Sequence, residues 1–367
     1  MRGWLLIGAL AGGVRAGITA PKDVVVDMDS GLHAPVALGL DDDLALAYLS
    51  RRAVVHAITS THGSSLARWT CQSAKAMAYA LAFWACLEMR LTYAESDELE
   101  FARSNVLDVP TGKEEPLDLS ADVKQQRDSI LRAQQVLSAA PKVFCGGGFL
   151  GAPYVHAPAH LQRNNPMYTV LALGPLTNIA AALAGAAGSK PFGRLVFAGG
   201  HFEPDGTSLF EFNVAADGRA METVLASSVE KVVLPVNLLR DVVLARQDVV
   251  ANGDWLRKHA AALQSHARMA SMFTAGGGGA QSVRAWAAAA AVFYVKPELF
   301  GAVRCHPARV VRRMGVLPVL EANWTSGVPG KCHDARNHIA VPHSMLADDV
   351  KQELLAGLKA VQLRKPK

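Results

Sequence analysis

Five short apolar, β-branched runs alternate with helical patterns along the chain: Asp23–Asp29 (DVVVDMD), Ala53–Ser60, Tyr168–Gly174, Arg194–Gly200 and Val229–Asn237. Runs that are apolar throughout, rather than at every second residue, suit strands covered on both faces, as in a parallel sheet. The stretches between them carry helical patterns: Asp42–Arg51, Leu66–Met89, Leu176–Ala187 and Asp217–Ala226. Strand–helix alternation predicts an α/β fold, an open and mostly parallel sheet flanked by helices. Ligands of such sheets bind at the carboxyl ends of the strands. Four of the five runs end there in polar or glycine residues: Asp27-x-Asp29, Ser60-Thr61-His62-Gly63, Gly174-Pro175 and Gly199-Gly200-His201.

Half of the 367 residues are hydrophobic and 19% are charged, which permits a large core and fits one large α/β domain. The net charge of +5 is mild, and the basic clusters Arg51–Arg52, Arg312–Arg313 and Lys365–Lys367 read as solvated surface rather than a nucleic-acid patch. The five cysteines are odd in number and lack CxxC spacing, so neither a zinc site nor a disulfide framework is expected; Cys71 reads as a core thiol. Residues 1–21 combine Arg2, an apolar run and small residues, which reads as a weak secretory signal or an extension before the first strand. The compartment stays open between cytoplasm and export. No other segment reads as a transmembrane helix. Residues 22–365 are expected to form a single domain. Within it, 95–165 fits the strand–helix pattern poorly, with a charged stretch and then a loop rich in Gly, Pro and His. A four-glycine stretch within Thr274–Ser282 reads as a loop before an alanine-rich helix, Val283–Tyr294.

Three motifs carry chemistry. Asp27-Met28-Asp29-Ser30-Gly31 closes the first strand and Asp41-Asp42-Asp43 opens the next helix. Several carboxylates meeting at one strand end repel one another unless a cation joins them or some are protonated. Oxygen-only ligands suit a hard ion, Ca²⁺ or Mg²⁺. Asp43 alone reads as a helix N-cap. The second motif, Leu173-Gly174-Pro175-Leu176-Thr177-Asn178-Ile179-Ala180, breaks a strand and starts a helix. The third runs from Ala198-Gly199-Gly200 through Asp205 to Glu211-Phe212-Asn213 and Asp217. In an extended segment Glu211 and Asn213 point the same way, and an acid with an amide suits a sugar's hydroxyls. A polar surface loop accounts for that segment equally well.

In this order and roughly this spacing the motifs resemble those of the nucleoside hydrolase family: D-x-D-x-G-x-D-D, G-P-L-T-N-I-A, and M-G-G followed by E-F-N-x-x-x-D. The resemblance covers about residues 23–365. It implies a Rossmann-like nucleoside hydrolase fold and hydrolysis of the N-glycosidic bond of ribonucleosides, through an oxocarbenium-like transition state with Ca²⁺ as cofactor. Carried over by motif, Asp29 is the general base and a metal ligand. Asp42 and the Leu173 carbonyl are further ligands, and Asp27 buttresses the site. Asp41, Asp205, Glu211 and Asn213 bind the ribose. Trp286 resembles a base-stacking tryptophan, though a packing role fits it as well. The resemblance also implies a homodimer or homotetramer.

The chain departs from this pattern at several places. Nine residues, Leu32–Leu40, separate Gly31 from Asp41 where the family has one. Ala287 stands where the family carries its last metal-ligating Asp, and alanine offers no side-chain oxygen. Ser64 stands where an Asn or Asp is usual. No catalytic His or Trp loop is found in the poorly matched region, where His156 and His160 are candidates by location alone. Two other readings compete: a nucleoside-binding protein of this fold impaired in catalysis by Ala287, and a haloacid-dehalogenase-type phosphatase with Asp27 as nucleophile and Asp29 as acid.

Overall fold

The computed structural model describes residues 22–30, 40–64, 70, 73–74, 77, 142–145, 161, 165–186, 189–203, 205–245, 248, 282–313, 317–323, 327–330, 332 and 335–360. The readings of residues 1–21, of Leu32–Leu40 but for its last residue, of most of the helix expected at 66–89 with Cys71, of most of 95–165 with His156 and His160, and of the glycine-rich stretch lie outside these.

The strands in chain order are β1 (Lys22–Met28), β2 (Ala53–Ser60), β3 (Lys142–Cys145), β4 (Asn165–Ala172), β5 (Phe192–Ala198), β6 (Glu230–Leu234), β7 (Val243–Ala245), β8 (Ser282–Arg284), β9 (Val303–Arg313), β10 (Leu317–Ala322), β11 (Val328–Pro329) and β12 (His338–Pro342). The α-helices are α1 (Leu40–Leu49), α2 (Thr177–Gly185), α3 (Phe212–Ala216), α4 (Gly218–Ala226), α5 (Val236–Leu239), α6 (Trp286–Val295) and α7 (Ala347–Ala360). One sheet runs β10-β9-β12-β6-β5-β4-β1-β2-β3, with β11 against β9. From β12 to β3 every pairing is parallel, while β9 pairs antiparallel with β10, β11 and β12.

The continuous apolar runs have the cause expected of them. Along β1, Val24, Val26 and Met28 pack on one face with Leu44 of α1, Ala288 of α6 and Leu354 of α7. Val25 packs on the other face with Ile179 of α2 and Val224 of α4. Strand side chains alternate, so a strand covered on both sides needs apolar residues at every position. Asp27 breaks the run on the α2 side. Its backbone pairs with Thr59 of β2 and Ala172 of β4.

The strand order 3-2-1-4-5-6 reverses between β1 and β4. A crevice opens at such a switch point, outside the carboxyl ends of the two strands. Asp29 follows β1 there and Leu173-Gly174 follows β4.

Three expectations change. The run Val229–Asn237 is a strand only to Leu234, because Pro235 lacks an N–H for a ladder and α5 starts after it. The alanine-rich helix begins at Trp286 rather than Val283, because Ser282–Arg284 pairs with Val243–Ala245. Contrary to the reading of unlinked cysteines, Cys305 and Cys332 form a disulfide. β11 pairs Val328 with Cys305 and so brings Cys332 near, a tertiary pairing that cysteine spacing does not reveal.

Candidate active site

Asp27 is fully buried. Its Oδ1 accepts hydrogen bonds from the Thr59 hydroxyl at 2.6 Å and the Asn178 amide at 2.8 Å. Its Oδ2 has no partner among the described residues. Burial pushes its carboxyl up to about 7, against the two hydrogen bonds that lower it. Asn178 also donates to the Ser60 carbonyl at 3.0 Å, tying the start of α2 to the end of β2.

Asp29 is buried just past the carboxyl end of β1, at the switch point beside β4. Its Oδ2 accepts from the Ser64 backbone N–H at 2.6 Å and the Ser64 hydroxyl at 3.0 Å. Two glycines make room for this carboxylate. A Cβ on Gly63, whose φ is +152°, would lie 2.1 Å from Asp29 Oδ2; one on Gly174 would lie 2.6 Å from Oδ1. Burial raises Asp29 to about 7, opposed by the Ser64 bonds and reinforced by the charges of Asp41 and Asp27. Ser64, met in the sequence as a departure, is thus the direct holder of the expected base.

The first turn of α1 brings Asp41, Asp42 and Asp43 to the same place, all buried. Asp41 Oδ2 accepts from the backbone N–H of Ala287 at 3.0 Å, across the contact between α1 and α6. Asp42 Oδ1 has no partner among the described residues. Burial holds Asp42 well above the usual carboxylate range, with the charges of Asp29, Asp41, Asp43 and Asp27 adding to it. Asp43 is not the N-cap expected of it. It lies within α1, 1% exposed, and its Oδ1 accepts from the Ser30 hydroxyl at 2.8 Å. Burial raises it to about 8, against the Ser30 bond.

On the β5 side, Glu211 caps α3. Its Oε1 accepts from the Asn213 N–H at 2.9 Å, and its Oε2 from Gly200 N–H at 3.0 Å and Val214 N–H at 3.1 Å. Burial raises its carboxyl, and these three amides oppose that. Asn213 spends both amide hydrogens on backbone carbonyls, Leu173 at 2.9 Å and Ala198 at 3.1 Å. Its Oδ1 is what remains for a hydroxyl. The Leu173 carbonyl has two lone pairs, and Asn213 takes one.

Asp205 does not join the cluster. It lies exposed at the tip of the turn closed by the Phe202–Ser208 bridge, and its Oδ1 accepts from Thr207 N–H at 2.8 Å. That bond holds its carboxyl below the usual range. Trp286 is the first residue of α6, half-buried against the core, and its indole Nε1 is buried with no partner among the described residues.

Three more side chains complete the surroundings, among them Thr177, which a reading as helix cap does not describe, because the N-cap of α2 is Leu176 with no side-chain cap bond. His62 Nε2 meets the Thr177 hydroxyl at 3.0 Å, and Thr177 donates to Asp217 Oδ2 at 2.7 Å. Burial lowers His62, with Asp217 pulling the other way. Asp217 caps α4 through Ala220 N–H at 2.9 Å. The acid opening that helix was visible in the sequence; its partners were not.

The chain is similar to several known proteins. The family model for inosine-uridine preferring nucleoside hydrolases matches residues 24–341. The non-specific ribonucleoside hydrolase RihC of Escherichia coli is 33% identical over 152 residues, which are 40% of this chain and 48% of that protein. The chain therefore spans about half the length of the curated relatives it matches. A plant nucleoside hydrolase superposes with a TM-score of 0.60 at 18% identity, over 93% of this chain and all of that one. A purine-preferring ribonucleoside hydrolase from Gardnerella vaginalis does so at 0.56 and 15% identity, over 93% of this chain and 99% of that one. At such identities the superpositions establish the fold. With the family match running through all three motifs, the chain belongs to the inosine-uridine preferring nucleoside hydrolase family.

Proposed function

We propose that this chain hydrolyses the N-glycosidic bond of ribonucleosides to free base and ribose, with Asp29 as general base. The observation that carries this reading is the buried Asp29 carboxylate, pinned by the Ser64 N–H and hydroxyl at the switch point beside β4. The Ser64 bonds occupy Oδ2 and leave Oδ1 of Asp29 to take a proton from water. Water attacks the anomeric carbon as Asp29 takes its proton; the glycosidic bond breaks, and its electrons leave with the base. In this reading Asp41, Glu211 and the Asn213 Oδ1 would bind the ribose hydroxyls, and Trp286 would stack on the base. Glu211 and Asn213 are fixed mainly by backbone groups, so this pair is set before substrate arrives.

Nucleoside hydrolases are generally metal-dependent. The donor set fits a hard divalent cation: buried carboxylate oxygens, three of them on Asp27, Asp42 and Asp43 without partners, and among the described residues no Lys or Arg paired to them. Asp29, Asp42 and the Leu173 carbonyl would hold it, Ca²⁺ in this reading. When bound, it supplies positive charge that orients ribose hydroxyls and water. With Ala287 in the third acid's place, no three His, Cys, Asp or Glu among the described residues group to cage an ion by themselves.

That gap favours a second reading, a nucleoside-binding protein with impaired turnover. The phosphatase reading gives way to the family match over residues 24–341. Self-association is part of the proposal. Leu209, Phe210 and Phe212 stand exposed beside Glu211, and gel filtration tests it. The deciding assay is base release from inosine, adenosine and uridine, with calcium or with chelator. Turnover that chelator abolishes supports hydrolysis. Calorimetric nucleoside binding without turnover supports the second reading.

A further inference from the structure

The hydrogen-bonded chain Asp217–Thr177–His62 links the start of two helices to the turn that holds Asp29. Thr177 donates its hydroxyl hydrogen to Asp217, so its oxygen can only accept from His62. The proton of His62 must therefore sit on Nε2. Asp217 is itself fixed by the Ala220 N–H at the start of α4. His62 directly precedes Gly63 and Ser64, and Ser64 supplies both hydrogen bonds to Asp29. The turn has little freedom. A Cβ on Gly63 would touch both Asp29 and, at 2.8 Å, Pro175 Cδ. Neighbouring bonds secure its other end: Asn178 to the Ser60 carbonyl at 3.0 Å and Thr70 to the Thr61 carbonyl at 2.6 Å.

We infer that His62, Thr177 and Asp217 form a positioning relay that fixes Asp29 in its reactive orientation, so that the motif Gly174–Asn178 serves the base rather than the substrate. Thr177 and Asn178 act as two latches on one segment. Asn178 holds Asp27 and the end of β2, while Thr177 holds the turn that carries Ser64. None of the three relay residues touches the reacting atoms. The inference rests on Asp29 being the base of the proposed hydrolysis.

Thr177→Val removes the hydroxyl at nearly constant volume, and Thr177→Ser keeps it. If the relay positions Asp29, Thr177→Val lowers kcat about 10- to 100-fold with KM within about twofold, as expected for a misplacement of 1 Å or less. Thr177→Ser recovers most of that loss. Equal kcat in Thr177→Val and wild type overturns the relay, as does a Thr177→Ser enzyme no better than Thr177→Val. His62→Gln against His62→Leu repeats the test from the other end, should the valine variant not fold. Glutamine can still donate near the Nε2 position, so a leucine variant as active as the glutamine one also overturns it. A readout independent of turnover separates this from failure of the hydrolase reading. In ¹⁵N-histidine NMR spectra, His62 should be the Nε2–H tautomer in wild type and lose that fixed state in Thr177→Val. Wild type without turnover removes the proposed activity and leaves the spectra to decide the relay; an unchanged His62 signal in Thr177→Val overturns it.

Discussion

Asp27→Asn tests the buried-acid reading most directly. In the folded chain the Asp27 carboxyl is raised to about 7 from 3.8, chiefly by burial. The folded state therefore binds a proton that the unfolded state has released over this range. The associated stability is fully present below pH 3.8 and is lost as pH rises through 7. Between pH 5 and 8 this linkage takes away roughly 2.6 kcal/mol from Asp27 alone. Asparagine keeps the shape and an acceptor for Thr59 and Asn178 but does not titrate. Its amide would replace Oδ2, which has no partner among the described residues, at a cost of about 1–3 kcal/mol that does not change with pH. Relative to wild type, the variant should therefore gain roughly 2.6 kcal/mol of stability between pH 5 and 8. Urea unfolding in chelator, under non-reducing conditions, at each half pH unit reads the difference. Parallel pH dependences for the two proteins would refute the reasoning, because they would mean that Asp27 is ionised in the fold throughout.

Ala287→Asp restores an acid beside Asp41 and Asp42. In chelator it should lower the melting temperature, because one more buried carboxylate joins an unneutralised cluster, and it should tighten calcium binding by about 10-fold or more. Thermal shift with a calcium titration checks both, and unchanged affinity counts against the cluster as the cation site. Gly63→Ala places a Cβ 2.1 Å from Asp29 Oδ2 at a φ of +152°, so kcat should fall by about 100-fold with a loss of stability of about 1–3 kcal/mol. Steady-state kinetics with urea unfolding would detect it. Cys305→Ser with Cys332→Ser opens a linkage across a sequence separation of 27, and loop entropy predicts a loss of about 3.5 kcal/mol. Urea midpoints against the oxidised parent give the measurement, and a thiol titration of the unfolded parent shows whether the bond is present.

The parallel half of the sheet was legible because its cause is local. A strand covered on both faces must be apolar at each position, and β1 with the carboxyl halves of β2, β4 and β5 announce themselves that way. The antiparallel margin was not. β9 is buried irregularly along its length, with exposed Arg309, Arg312 and Arg313, and so shows neither a continuous run nor a clean alternation. The site divides along the same line. Asp27, Asp29, Asp41 and Asp42 stood out because clustered like charge needs an explanation wherever it occurs. Asp205 was read from its place in a motif, but its carboxylate closes its own turn two residues on, a local bond that residue type alone does not distinguish from a ligand contact.

What holds the acids in place was hidden for a different reason. Asn178 reaches Asp27 across 151 residues, and Ala287 reaches Asp41 across 246. Such partners become neighbours only when β4 lies down beside β1 and α6 beside α1. The Ala287 contact is the extreme case, because its donor is a backbone N–H that every residue but proline carries. Read as a side chain, position 287 is a ligand lost. Read as a backbone, it still orients Asp41, and replacing alanine there adds a carboxylate without removing that bond. This is why Ala287→Asp separates the two functions of the position. A gain in calcium affinity without a gain in turnover would place the chain's deficit elsewhere than at its metal, whereas a joint gain would assign it to the missing oxygen alone.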